Sequence, residues 1–113
     1  MTTPGRELYD RQIRFLLAKD ADGLIDANYA PDAELISFTN VIRGSDALKE
    51  YFRGYIAMLG DMRVKSTDKF QETDDSVFFE ATVHSALGEA HVYDAWVVRD
   101  GKITHHFSGV MGR

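Results

Sequence analysis

Apolar positions recur at helical spacing in the first half of the chain and at strand spacing in the second, with the change near Met62. Thr3-Pro4 offers a capping hydroxyl followed by proline at a first helical position. Tyr9, Ile13, Leu16 and Leu17 then form a stripe, which Asp20-Ala21-Asp22-Gly23 interrupts. A short second helix is expected around Leu24–Asn28, stopped by Tyr29-Ala30-Pro31-Asp32, because proline disfavours helix in its predecessor. Glu34–Phe38 reads as a short strand. The clearest element opens at Gly44-Ser45-Asp46, with Ser45 as cap, and runs through Leu48, Tyr51, Phe52, Tyr55, Ile56 and Leu59 to a stop at Gly60.

Beyond Met62 the pattern predicts four strands. Arg63–Glu72 is polar and only partly alternating, as expected of an edge strand that carries a bulge. Val77–Ala86 is β-branched and aromatic, Ala90–Val98 follows a turn at Leu87-Gly88-Glu89, and Arg99-Asp100-Gly101-Lys102 is a tight hairpin into Ile103–Met111. Helices first and an antiparallel meander afterwards predict an α+β fold with helices on one sheet face.

The 113 residues suit a single domain, 1–113, with no repeat or linker. Lys plus Arg number 13 against 18 Asp plus Glu, and the net charge of −5 disfavours a nucleic-acid or anionic-membrane surface. No cysteine is present, which excludes disulfides, thiolate metal sites and a cysteine nucleophile. No apolar run is long enough to cross a bilayer, and Met1 leads into a polar start, so a cytoplasmic location is expected.

Three segments carry a resemblance. Tyr29-Ala30-Pro31-Asp32-Ala33-Glu34, Arg43-Gly44-Ser45-Asp46-Ala47-Leu48, and Arg99-Asp100-Gly101-Lys102-Ile103 followed by His106 stand in the order and spacing of recurrent motifs. Together they resemble the nuclear transport factor 2-like superfamily, in its SnoaL-like and ketosteroid isomerase-like branch. The resemblance implies a cone-shaped barrel: N-terminal helices packed on a strongly curved, mostly antiparallel sheet around a pocket. It also implies a homodimer formed through the sheet. It leaves function open, since such folds serve isomerases, cyclases, hydrolases and non-catalytic modules alike.

The resemblance places Asp94 where ketosteroid isomerases keep a protonated aspartate that donates to an oxyanion. Strand alternation sets Trp96 beside it. The plainer reading is a surface aspartate paired with a base. Other isomerase equipment is missing: Ser37 stands where the general-base aspartate is expected, and Arg11-Gln12-Ile13 offers no match to the helix-1 tyrosine. Authentic ketosteroid isomerase activity is therefore not expected. His106 matches a frequent last-strand histidine, with Thr104 and Ser108 on its face; it is a candidate base, or else a histidine bonded within the sheet or dimer.

In Val77–Ser85 the resemblance turns Phe78, Glu80, Thr82 and His84 toward the pocket, whereas hydrophobicity favours Val77, Phe79, Ala81 and Val83. The first choice would gather Glu80, His84, Asp94 and His106, a set that could also bind a metal, although its spacing matches no metal motif. Tyr51, Phe52 and Tyr55 are candidates for the pocket roof or for plain core. Two functions follow as expectations. One is a cofactor-independent enzyme acting on a small hydrophobic or oxygenated molecule, with Asp94 as acid and His106 or His84 as base. The other is a non-catalytic ligand-binding or dimerisation module.

Overall fold

The computed structural model describes residues 2–112. Its elements are α1 (Pro4–Leu17), α2 (Ala21–Asn28), β1 (Tyr29–Ile36), β2 (Val41–Arg43), α3 (Ser45–Leu59), β3 (Arg63–Glu72), β4 (Ser76–Ser85), β5 (Gly88–Arg99) and β6 (Lys102–Gly112). The strands form one sheet in the order β2-β1-β6-β5-β4-β3. Every neighbouring pair is antiparallel except β1 with β6. The helices cover one face, and the fold is the expected α+β arrangement.

Local chemistry explains the boundaries. Thr3 caps α1 by accepting from the Arg6 N–H at 3.2 Å, with Pro4 following it. The acidic break after α1 is the start of the next helix: Asp20 accepts from the Gly23 N–H at 2.9 Å, so α2 begins earlier than its apolar residues indicate. Ser45 does not cap α3. Gly44 holds that place with φ 89°, and the Ser45 hydroxyl turns to the Pro31 carbonyl.

The first strand also starts earlier than expected, at Tyr29, and contains Pro31. Its register with β6 breaks between Tyr29 and Glu34, which spares the ladder a missing proline N–H. The β1–β2 hairpin had no clear sequence signal. At the other end, Asp100 and Gly101 take positive φ (53° and 77°), the conformation a two-residue hairpin needs.

Bulges give the sheet its curvature. The register of β3 against β4 shifts twice, and that of β5 against β6 shifts at His91/Val92 and at Val97/Val98. The last of these alters the expected alternation. Val98 pairs with Ile103 and Val97 with His105, leaving Thr104 as the extra residue. Ile103, His106 and Ser108 therefore share the inner face, and Thr104 does not.

The core packs α1 and α3 onto the inner sheet face. Tyr9 lies against Phe79 (ring centroids 4.5 Å) and Phe79 against Trp96 (5.1 Å). Leu48, Phe52 and Ile56 bury the α3 stripe, while Leu17 of the α1 stripe remains half exposed. On β4 the hydrophobic set wins: Val77, Phe79 and Ala81 are buried, and Phe78 faces outward.

One close approach is readily testable. The Tyr93 ring lies over Gly109, its register partner, and a Cβ at Gly109 would come within 2.5–2.6 Å of the ring and hydroxyl. We expect Gly109→Ala to destabilise the protein by about 1–3 kcal/mol in chemical denaturation. In a Tyr93→Ala background the penalty should largely vanish. Equal penalties in both backgrounds would show that the ring does not enforce the glycine.

Candidate functional site

A cavity of about 380 Å³ lies between the helices and the inner sheet face. Its walls are mostly apolar: Leu16, Val64, Phe79, Val83 and Val92 contribute, as do the aromatic rings of α3. The Ser37–Thr39 turn and Val110 also line it, with Phe38 87% exposed. Such a cavity suits a small, largely apolar ligand with a few polar groups to orient it.

Those groups centre on two strands. Register places Asp94 opposite Ser108 and Trp96 opposite His106 across β5 and β6. The His106 Nε2 lies 2.6 Å from Asp94 Oδ1, with the imidazole side chain 6% and the carboxylate side chain 16% exposed. Three aromatic rings enclose the imidazole: Trp96 edge-on at 5.8 Å, Tyr29 at 6.0 Å and Phe52 at 6.4 Å. Burial pushes the Asp94 carboxyl above its ordinary value, while the hydrogen bond and charge of His106 pull it down. The balance remains upward, as suits a proton acceptor working near neutral pH.

Asp94 in turn acts on the tyrosines around it. Burial first, then the nearby Asp94 charge, pushes the Tyr55 hydroxyl up to about 12. Burial and then Asp94 raise Tyr51 as well. These two rings stack at 6.2 Å on the cavity wall. Their hydroxyls stay protonated at neutral pH and can donate. The buried Trp96 Nε1–H finds no hydrogen-bond partner among the described residues.

The structure brings together Asp94, His106, Trp96, Phe52, Tyr55, Ser37 and Ser108, all of which line the cavity. Ser37 sits in the turn after β1, its Oγ accepting from the Asn40 N–H at 3.2 Å. Glu80 and His84 are not brought there. Both lie on the outer face of β4, where Glu80 is 3.8 Å from Lys69 and His84 is exposed. The reason is alternation: burying Phe79 and Ala81 obliges Glu80 and His84 to face away. Thr82 on that outer side donates to Asp68 at 2.7 Å. Among the described residues, no group of three or more His, Asp or Glu side chains is placed to hold a metal ion.

Sequence reasoning missed the support behind His106. Its Nδ1 meets the Tyr29 hydroxyl at 2.8 Å, and the Gln12 Nε2 donates to that hydroxyl at 2.9 Å. Asn28 Nδ2 donates to Gln12 Oε1 at 2.9 Å, and Arg11 Nε to Asn28 Oδ1 at 2.6 Å. A signal was present: Gln12 stands one helical turn after Leu8 and next to the Tyr9–Ile13–Leu16 stripe, a polar residue at the edge of an apolar face.

Comparisons with known proteins agree with this architecture. Residues 9–106 match the family model described as the SnoaL-like domain. No curated protein matches the sequence. An NTF-2 like protein of unknown function from Burkholderia xenovorans LB400 superposes with a TM-score of 0.80 at 17% identity, covering 97% of this chain and 84% of that one. A de novo designed protein with a curved β-sheet gives 0.80 at 19% identity, covering 97% and 88%. TerC, co-crystallized with polyporic acid, gives 0.78 at 21% identity, covering 96% and 92%. At these identities the likeness is one of fold.

The raised Asp94 value has a consequence for stability. Below the ordinary carboxyl value, about 3.9, the group is protonated whether the chain is folded or not. As pH rises from there through the folded value, the unfolded chain ionises first and the native state loses ground. Asp94→Asn should therefore melt at a higher temperature than the parent at pH 7, and the gap should close toward pH 4. A gap independent of pH would show that the carboxylate carries no burial penalty.

Proposed function

We propose, given that the chain belongs to the SnoaL-like domain family, that it binds a small hydrophobic or oxygenated molecule in the cavity and carries out cofactor-independent acid–base chemistry on it. The observation that supports this reading is the 2.6 Å pairing of Asp94 with His106 inside an otherwise apolar cavity. A buried carboxylate is costly to keep, and its raised value suits proton transfer. That TerC, a protein of like fold, was co-crystallized with polyporic acid supports a small-molecule occupant.

The roles reverse those expected from the resemblance. His106 Nε2 is engaged with Asp94 and its Nδ1 with Tyr29, so the imidazole has no free nitrogen to offer a substrate. Asp94 is the proton acceptor, and His106 holds its Oδ1 so that Oδ2 remains for the ligand. Tyr51 and Tyr55 stand as donors for an oxygen that becomes negative when the proton leaves. Proton removal next to a carbonyl and its return elsewhere would be an isomerisation; attack by the carbanion on a second carbonyl would be a cyclisation. His84, on the outer face, has no part in this chemistry.

We further propose that the outer sheet face forms a homodimer. Phe78, Ala95 and Phe107 stand in one row across β4, β5 and β6, and Phe78, Val97 and Phe107 are exposed.

Three measurements test these readings. Trp96 is the only tryptophan and lines the cavity, so its fluorescence should report binding of cyclic ketones. The same ketones should exchange their α-hydrogens with deuterated water, and Asp94→Asn should slow exchange about 10²–10⁴-fold while still binding. Binding without exchange in the parent protein would favour a non-catalytic module, and unchanged exchange in Asp94→Asn would remove Asp94 as base. Light scattering should give twice the 12.8 kDa chain mass; a 12.8 kDa particle would refute the dimer.

A further inference from the structure

The side chains behind His106 form an unbroken series that begins outside the cavity. Arg11 is half-buried on α1 and is not a cavity residue. From it the series runs through Asn28 at the end of α2, Gln12 on α1, Tyr29 at the start of β1 and His106 on β6 to Asp94 on β5. Asn28, Gln12, Tyr29 and His106 are each buried, so each of their polar atoms needs a partner of the correct kind.

Arginine can only donate. The Asn28 atom facing it must therefore be the carbonyl oxygen, which turns the Asn28 amide nitrogen toward Gln12. Gln12 must then present its oxygen to Asn28 and its amide nitrogen to Tyr29. The Tyr29 oxygen, already accepting, has its own proton left to give, and the atom within reach is His106 Nδ1. With Nδ1 accepting, the imidazole carries its proton on Nε2 and donates it to Asp94. Reversing any one link would set two donors or two acceptors face to face at a buried position, or leave the Tyr29 proton without an acceptor.

We propose that Arg11 acts as a remote positioning residue that sets the protonation pattern of the His106–Asp94 pair. Through the two amides and Tyr29 it holds His106 in the Nε2–H tautomer, which keeps Asp94 Oδ1 an acceptor and leaves Oδ2 to take the substrate proton. The functional consequence deepens the acid–base reading of this site and rests on it, whereas the tautomer itself is a property of the ligand-free protein.

Among the described residues, the groups that face Asp94 are few. His106 comes from β6, Tyr9 from α1, Tyr29 from β1, and Tyr51 and Tyr55 from α3; β4 presents Phe79. The tyrosines remain neutral across the working range, since each is raised above its ordinary value. His106 is thus the one neighbour whose proton placement can change what Asp94 accepts.

Arg11→Met removes the obligate donor. Asn28 and Gln12 are then free to rotate by half a turn, Tyr29 can donate to Gln12, and His106 can carry its proton on Nδ1, its bare Nε2 accepting from Asp94 in the carboxylic-acid form. Nitrogen-15 NMR of the histidine ring separates the two tautomers directly. We expect Nε2–H in the parent protein and in Arg11→Lys, which keeps a donor, and, at pH values where Asp94 is protonated and donates to Nε2, Nδ1–H as the main form in Arg11→Met. The Asp94 ionisation midpoint, followed by carboxyl carbon-13 shifts, should rise by about one unit in Arg11→Met, as loss of one charge-assisted donor predicts. Gln12→Glu provides a second route to the same reversal, because a carboxylate there accepts from both Asn28 and Tyr29. Nδ1–H in the parent protein would overturn the proposal. So would an unchanged tautomer in the folded form of either Arg11→Met or Gln12→Glu. Loss of ketone exchange with the tautomers as expected would instead count against the catalytic reading alone.

Discussion

Everything distinctive about this molecule depends on keeping one carboxylate, Asp94, inside a mostly apolar cavity. Water would solvate that charge far better than the cavity walls do. The compensation is local: a 2.6 Å hydrogen bond from His106, whose other nitrogen is held at 2.8 Å by Tyr29. Tyr29 is held by Gln12, and Gln12 by Asn28, so the support passes into the helices. An isolated His–Asp pair on two strands would be free to turn. This pair is fixed because its neighbours are buried and each must be satisfied.

The fold serves that requirement in two ways. Bulges in β3 and β6 bend the sheet so that its inner face closes on α1 and α3. The bulge at Thr104 also sets the phase of β6. Without it, Ile103 and His106 would point to opposite faces, and the imidazole could not meet Asp94 while Ile103 filled the core. The helices contribute more than a lid, since α1 carries Gln12 and Arg11, and α2 delivers Asn28 and Tyr29 where it passes into β1.

Much of the fold was legible in the order of patterns. The α3 stripe from Leu48 to Leu59, the Asp100-Gly101 hairpin and the polar edge strand Arg63–Glu72 each follow from spacing and turn chemistry, which are local properties. The early start of β1 was not legible, because Pro31 is a valid stop signal and only the broken register with β6 explains its tolerance. On β4, plain hydrophobicity placed Phe79 and Ala81 inward correctly, where the resemblance turned Glu80 and His84 inward. Burial of apolar area outweighed the family pattern at that strand.

By itself, then, the sequence determined which elements form apart from β2, that helices cover one face of a sheet, and that Asp94 and Trp96 share a side of their strand. Those are questions of period and propensity, which act over a few residues. The tertiary structure alone decided that His106 reaches Asp94, that His84 does not, and that the proton between them is set from Arg11. Arg11 lies 83 positions before Asp94, and no local rule connects the two. They are joined only because folding buries the four side chains between them, where an unpaired donor or acceptor costs too much to leave.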